Sequence, residues 1–153
     1  MIVLFRSCEA NLSPGSLGDG TKDKPRWEGK GKLEILRKCY MSLQQGLTPE
    51  DTIIIINDRT SYETLRWMKE NTQATFQIKD ITPLNELREN HAYPQYHPVI
   101  VNACQDLMEI IIETAETNPS EIIYVCEDDY IHVEHALHCM KHVFEQGYTG
   151  FYA

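Results

Sequence analysis

The stretch DTIIIIND, residues 51–58, holds four consecutive isoleucines between polar residues. β-Branched side chains favour extended backbone, and a short apolar run without alternation is typical of a strand buried on both faces of a parallel sheet. Asn57 and Asp58 follow the last isoleucine directly and place an amide and a carboxylate at the carboxyl end of that strand. Because ligands of open parallel sheets bind beyond the carboxyl ends of the strands, this stretch predicts the fold class and the edge where a site would lie.

Other apolar runs and helical repeats surround this central strand. Short apolar runs predict strands at residues 2–8, 53–56, 75–81, 122–126 and 149–153. Apolar residues spaced three and four apart predict helices at about residues 32–46, 62–70, 98–117 and 133–146. Strands that alternate with helices indicate parallel βαβ units, and right-handed crossovers favour a doubly wound, mostly parallel sheet with helices on both faces. The predicted class is therefore α/β, with a Rossmann-like architecture.

Length and composition are those of a single globular domain that covers residues 1–153. Hydrophobic residues make up 42% and charged residues 24%, which excludes disorder as a description of the whole chain. No apolar run approaches the ~20 residues that a membrane span needs, and residues 1–6 lack the pattern of a signal peptide. The five cysteines contain no C-x-x-C pair and are typical of reduced thiols. We therefore expect a cytoplasmic protein without a transmembrane segment.

The charge balance is acidic, with 14 basic residues against 23 acidic ones and a net charge of -9. A negative field repels phosphate backbones, so the composition predicts no nucleic-acid partner. A small anionic ligand remains compatible with this charge, because a bound divalent cation reverses the sign of the local field.

Three adjacent carboxylates, Glu127, Asp128 and Asp129, directly follow the predicted strand at 122–126. Neighbouring carboxylates repel one another and are best tolerated where a cation lies between them. Hard oxygen ligands select Mg²⁺ or Mn²⁺, and such an ion could bridge to the phosphates of a nucleotide. A solvated acidic turn is the alternative interpretation of the same three residues.

Two more polar groups, Arg6-Ser7 and Asn57-Asp58-Arg59, follow predicted strands and would share the rim of this acidic triplet. Asn57 and Asp58 end the second strand, where the carboxylate could accept hydrogen bonds from a ribose or a base; a turn residue is the alternative. Arg6 and Ser7 end the first strand, and Arg6 could pair either with a phosphate or with an internal carboxylate. Because the carboxyl ends of parallel strands meet at one edge, all three groups are candidates for one site.

The long polar segment after the first strand matches no standard phosphate-binding loop. Residues 15–20 have the G-x-x-x-x-G spacing, but Thr21 and Lys22 follow instead of Lys and then Ser or Thr. Loops of this length are usually functional, and Trp27 could stack on a ligand or anchor the loop.

Histidines cluster near the end of the chain. His135, His138 and His142 share one stripe of the predicted last helix, opposite its apolar face. We expect that stripe to face solvent rather than to form a designed metal site. His132 lies shortly after the acidic triplet and could touch a substrate.

The order of these parts resembles the GT-A-type glycosyltransferases, in particular the family-2-like nucleotide-diphospho-sugar transferases. The resemblance rests on a first strand that ends in a polar loop at residues 5–7, a second that ends in Asp58, and a later strand that runs into a D-x-D-like motif at residues 127–129. The segment KPRWEGK, residues 24–30, is similar to a basic loop of some of these proteins. The resemblance spans most of the chain. It implies a GT-A fold and transfer of a sugar from a nucleotide-diphosphate donor to the hydroxyl of an unknown acceptor.

Carried over residue by residue, the resemblance implies a nucleotide-sugar site formed by Arg6, Ser7, Asn57, Asp58, Glu127 and Asp128. Asp58 would hold the nucleoside and Glu127 would lie near the ribose. Asp129 would be the direct ligand of an Mn²⁺ or Mg²⁺ ion, with Asp128 beside it. Glu127 departs from the family's aspartate by one methylene, which affects the ribose contact more than the metal.

In this family the acceptor site and the catalytic base usually follow the D-x-D strand and its helix. The chain ends at Ala153, about where that region would start. We therefore expect a domain that lacks the acceptor-binding part, and no base is assigned.

Two other functions fit the same residues. A nucleotidyltransferase would use similar carboxylates, although it usually adds a glycine-rich phosphate loop near the first strand. A non-catalytic α/β module would instead present its acidic rim to a basic partner.

Overall fold

The computed structural model describes residues 1–9, 31–88 and 98–148. Its strands are β1 (Ile2–Ser7), β2 (Thr52–Asn57), β3 (Thr75–Asp80) and β4 (Ile123–Glu127). Its helices are α1 (Lys32–Gln44), α2 (Tyr62–Glu70), α3 (Pro98–Thr117) and α4 (Ala136–Glu145), with a 3-10 turn at Leu84–Glu86. The predicted strand at 149–153 lies outside the described residues. None of the described helices is long and apolar enough to cross a membrane.

The four described strands form one parallel sheet in the order β3-β2-β1-β4. The predicted α/β class and its parallel sheet are therefore confirmed. In β2, Ile54 is in register with Leu4 on one side and with Gln77 on the other. Because β3 and β4 lie at the edges of the described sheet, their side chains are less buried than those of β1 and β2.

The isoleucine run of β2 is buried on both faces of the sheet, which is why it lacks the alternation of a half-exposed strand. One core combines alternate residues of β1 and β2 with residues of α1, α2 and α4: Val3, Phe5, Ile53, Ile55, Leu36, Tyr40, Leu43, Leu65, Met68 and Leu137. The opposite core combines the intervening residues with α3: Ile2, Leu4, Ile54, Ile56, Ala103 and Ile110. Helices therefore cover both faces of the sheet.

The strand order contains a reversal of direction next to β1. From β1 the chain proceeds to β2 and β3 on one side, with α1 and α2 on one face. It then returns through α3 on the other face and adds β4 to the opposite side of β1. The carboxyl ends of β1 and β4 therefore flank a topological switch point, the place where open α/β sheets bind ligands.

Two helix starts have identifiable local causes. Ser61 caps α2, because its hydroxyl oxygen accepts a hydrogen bond from the Thr64 N–H at 3.3 Å. The last helix was predicted to begin at 133 but begins at Ala136. His135 has a left-handed φ of 67°, which a right-handed helix cannot contain, so the helix starts one residue later.

Helix α4 packs closely against the end of α1. A Cβ atom placed on Gly46 would lie 2.8 Å from the Cβ of Leu137, so only a glycine allows this approach. Lys141 of α4 adds a polar anchor, since its Nζ donates to the buried Asp51 at 2.7 Å. These contacts hold α4, and the loop that precedes it, against the α1 side of the sheet.

Replacement of Gly46 by alanine is expected to lower the free energy of unfolding by about 1–3 kcal/mol, because the added methyl overlaps Leu137. Urea unfolding measures the loss. Gly31→Ala is the control, since nothing lies within 4 Å of its added methyl; we expect a loss below about 1 kcal/mol there. Equal losses in the two variants would contradict the proposed close approach of α4.

Candidate functional site

The carboxyl edge of the sheet brings Arg6, Asp58 and Glu127 together. Arg6 is in register with Glu127 across the β1–β4 pair, and its Nη1 donates to Glu127 Oε1 at 2.8 Å. Its Nη2 donates to Asp58 Oδ2, also at 2.8 Å. One guanidinium therefore joins the ends of three strands. Of the two roles that the sequence left open for Arg6, the structure shows the pairing with internal carboxylates.

Asp58 is fully buried and is paired with two guanidinium groups, those of Arg6 and Arg59. Arg59 has a left-handed φ of 63°, an uncommon conformation for a long side chain that costs about 1–3 kcal/mol. That backbone turn directly follows β2 and brings the Arg59 guanidinium back to the carboxylate of Asp58. A fully buried charge needs such pairing, because an isolated carboxylate would be strongly destabilised by the loss of water.

The Arg6 guanidinium stays charged in this setting. Burial by itself lowers the pKa of Arg6, but the hydrogen bonds to Asp58 and Glu127 and their negative charges raise it well above its ordinary value. The positive charge of Arg6 is thus a permanent feature of the site.

Asp128 is buried and links the two sides of the switch point. Its Oδ1 accepts a hydrogen bond from Lys32 Nζ at 2.7 Å, and its Oδ2 accepts one from the Cys8 N–H at 2.7 Å. Lys32 is the first residue of α1, and Cys8 follows β1. Burial raises the pKa of Asp128, and the charge of Lys32 opposes that rise without cancelling it.

Ser7 and Asn57 support the rim through contacts inside the protein. The buried Ser7 hydroxyl shares a 2.8 Å hydrogen bond with Thr60 Oγ1. Asn57 accepts from the Thr60 N–H at 2.9 Å and donates to Asp80 at 2.6 Å. The predicted rim pairs are therefore adjacent in space, and Thr60 connects them.

The donor chemistry of the acidic triplet suits Mg²⁺ or Mn²⁺. Asp129 is exposed beside the buried Asp128, and carboxylate oxygens are the ligands these ions prefer. The Lys32 ammonium already pairs with Asp128 Oδ1, and the Cys8 N–H donates to Oδ2. Within residues 1–9, 31–88 and 98–148, however, no three His, Cys, Asp or Glu side chains form a ready metal cluster.

His132 is buried and holds the loop between β4 and α4 against α1. Its Nε2 lies 2.9 Å from the Tyr124 hydroxyl, and its backbone N–H donates to Ser42 Oγ at 2.9 Å. Burial lowers the pKa of His132 below 6.5. These contacts give His132 a structural role in the described part of the chain.

The histidine stripe of α4 faces solvent, as predicted. His138 and His142 of α4 are exposed, as is His135 directly before it, whereas Leu137 on the same helix is buried. Trp27 and the basic segment 24–30 lie outside the residues that the structure describes.

Arg59 lies at this edge, as predicted, but sequence reasoning missed Lys32 and Thr60 as parts of it. Thr60 directly follows the predicted group Asn57-Asp58-Arg59, so its position near the rim was a usable signal. The partner of Lys32 lies 96 residues away, and no local pattern identifies such a pair.

No protein-family model matches the chain, and no curated protein or solved structure matches it either. Its function is therefore inferred from the geometry of the site.

Replacement of Arg6 by methionine is expected to destabilise the fold by about 3–5 kcal/mol, because it removes one of the two guanidinium groups that neutralise the fully buried Asp58. Chemical unfolding gives the value. The control is Arg66→Met, which breaks an exposed pair with Glu70 on α2 and is expected to cost less than about 0.5 kcal/mol. Losses of similar size in the two variants would contradict the role of Arg6 in neutralising the buried Asp58.

The pKa of His132 is lower in the folded protein than in the unfolded chain, so protonation favours unfolding. The free energy of unfolding should therefore fall between about pH 7.5 and about pH 5.5. His132→Gln removes this contribution and should reduce the fall, whereas His138→Gln, at an exposed position, should not. Urea unfolding of each variant at the two pH values measures this difference. A decrease in the free energy of unfolding that is as large in His132→Gln as in the unaltered protein would contradict this prediction.

Proposed function

We propose that this domain binds a nucleotide-diphosphate sugar at the carboxyl edge of its sheet and transfers the sugar to an acceptor hydroxyl, in the manner of a GT-A-type glycosyltransferase. The observation that supports this proposal is the gathering of Asp58, Glu127 and Asp128 at the switch point between β1 and β4. Acidic side chains after β2 and β4 suit recognition of a nucleoside and of a cation that carries its phosphates.

In this proposal each carboxylate has a separate task. Glu127, whose side chain is 42% exposed, would contact the nucleoside, whereas the fully buried Asp58 would position Arg6, which donates to both carboxylates. Asp129 and Asp128 would hold Mn²⁺ or Mg²⁺, which when bound supplies positive charge to the leaving diphosphate. In the proposed reaction the acceptor hydroxyl gives its proton to a general base that is not assigned among these residues, and its oxygen bonds to the anomeric carbon. The bond from that carbon to the phosphate oxygen breaks, and the nucleoside diphosphate departs with that electron pair.

One observation favours a second function. The carboxylates of Asp58, Glu127 and Asp128 all have cationic partners within the chain. Such internal neutralisation removes the need for a bound cation and would also suit a non-catalytic α/β module, which would contact a basic partner through exposed carboxylates such as Asp129. Metal-dependent binding of a nucleotide separates the two functions, because only the transferase needs it.

A thermal-shift series with UDP, GDP, CDP and ADP, each with and without Mn²⁺, tests the proposal. A nucleotide at 100 times its dissociation constant should add roughly 2.7 kcal/mol of stability, and this gain should require Mn²⁺. Asp129→Ala should abolish the gain, whereas Glu134→Ala, which removes an exposed carboxylate from the same loop, should preserve it. If no nucleotide stabilises the protein with Mn²⁺, the binding-module function is the one to retain. If a nucleotide does stabilise the protein with Mn²⁺, an assay of sugar-nucleotide hydrolysis distinguishes a glycosyltransferase from a nucleotidyltransferase.

A further inference from the structure

Helix α3 carries apolar side chains on its outer surface as well as on the face that packs against the sheet. Ala103 and Ile110 are buried in the core beneath it. On the opposite side, exposed residues at a spacing of three and four form what we term the outer stripe: Cys104, Met108, Ile112 and Ala115. Met108 is 54% exposed and Ile112 is 51% exposed. A helix that is apolar on both sides is typical of one that is covered on both sides.

The other described helices lie on the opposite face of the sheet. Residues of α1, α2 and α4 belong to one core, whereas Ala103 and Ile110 of α3 belong to the other. The outer stripe therefore faces away from both cores that the described residues form. Contiguous apolar residues exposed in this way mark a surface that binds another molecule.

The charged side chains of α3 are all negative. Its sequence from 98 to 117 contains four acidic residues and no basic one. Glu109, Glu113 and Glu116 each directly follow a residue of the outer stripe, and a helix turns by about 100° per residue, so they line one flank of it. All three are exposed. We term these three residues the acidic flank.

Contacts within the protein show that the acidic flank accepts cationic side chains. Lys79 of β3 pairs with Glu113, and Arg88 Nη1 donates to Glu109 Oε1 at 3.0 Å. The Glu109 and Glu113 side chains are still 64% exposed, and a carboxylate has room for several donors. A cavity of about 380 Å³ adjoins them and is also lined by Asp80, Thr82, Arg88, Asp106 and Ile110. Its predominantly acidic lining suits the end of a Lys or Arg side chain.

Charge selects among the molecules that could cover the outer stripe. A second copy of the chain would bring another α3, and with it more negative charge and no cation. The same carboxylates would repel a membrane surface that carries anionic lipids. A helix with apolar residues on one face and Lys or Arg beside them would both bury the stripe and neutralise the flank.

We propose that the outer stripe and the acidic flank of α3 form a docking surface for a basic amphipathic helix of a partner protein. The apolar face of that helix packs on Met108 and Ile112, and its Lys or Arg residues reach Glu109 and Glu116. The inference makes no use of the carboxylates assigned to the nucleotide sugar, so it holds whether or not the transferase function does.

Thiol labelling of the unaltered protein tests the docking directly, because Cys104 belongs to the outer stripe. The probe is a synthetic helical peptide of about 18 residues, with Leu on one face and Lys beside it. At saturating peptide, alkylation of Cys104, followed by mass spectrometry, should slow at least about tenfold. Cys139, exposed on α4, is the internal control and should keep its rate.

A second peptide with Glu in place of every Lys has the same apolar face and should leave the Cys104 rate unchanged, because its charge matches that of the flank. An unchanged Cys104 rate with the basic peptide would overturn the inference. Equal protection by the two peptides would overturn it as well, since charge would then not select the partner.

Exposed positions give variants that test the two parts of the surface separately. Ile112→Gln should weaken binding of the basic peptide, measured by fluorescence anisotropy, about tenfold, and Glu116→Gln about threefold. The matched controls are Val133→Gln, 76% exposed in the loop before α4, and Glu63→Gln, exposed on α2; both should keep the affinity. Circular dichroism establishes that each variant is folded. Loss of binding in Val133→Gln but not in Ile112→Gln would contradict the docking surface, and the labelling result stands if a variant fails to fold.

Two further measurements test the other occupants. Sedimentation equilibrium should show no association that Ile112→Gln disrupts, and vesicles of phosphatidylcholine and phosphatidylserine should leave the Cys104 rate unchanged. A dimer that Ile112→Gln dissociates would assign the outer stripe to a second copy. Protection of Cys104 by vesicles would assign it to a membrane. Either result would overturn the inference.

Discussion

The burial of the isoleucine run of β2 on two faces of the sheet is the constraint on which the rest of the structure depends. Ile53 and Ile55 pack into one core and Ile54 and Ile56 into the other. One layer of helices cannot remove both sets from water, so the chain has to cross to the second face, which it does through α3. With right-handed crossovers, that change of face reverses the direction in which strands are added. The switch point between β1 and β4 is thus a consequence of the demand for two-sided burial.

Charge at the switch point is balanced within the chain, although the chain as a whole is strongly acidic. Arg6 and Arg59 neutralise the fully buried Asp58, and Arg6 also reaches Glu127. Lys32 does the same for Asp128. These pairs fix the carboxylates in place before any ligand arrives. In the proposed transferase function, such fixed groups would need little rearrangement when charge develops nearby, which is the basis of electrostatic preorganisation. A left-handed residue in this cluster, Arg59, fits the tendency of strained backbone to collect at functional sites.

Helix α1 connects the site to the rest of the domain. Its first residue, Lys32, contacts Asp128, and Ser42, near its end, accepts a hydrogen bond from the backbone of His132. The loop between β4 and α4 is therefore held along α1 at two points. Gly46 then allows α4 to approach the end of the same helix.

The sequence by itself determined the fold class, the parallel strands, the helices between them and the edge where polar groups collect. These features follow from local patterns: β-branched runs, apolar residues at helical spacing, and polar residues directly after strands. Arg59 was part of that predicted edge, and Thr60 was within reach of the same reasoning, because it directly follows Arg59. Only the tertiary structure decided which charges meet. The partners of Arg6 lie 52 and 121 residues away and that of Lys32 lies 96 residues away. Ion pairing depends on distances of a few ångströms between groups that the strand order brings together, and strand order is a property of the whole chain rather than of any stretch within it.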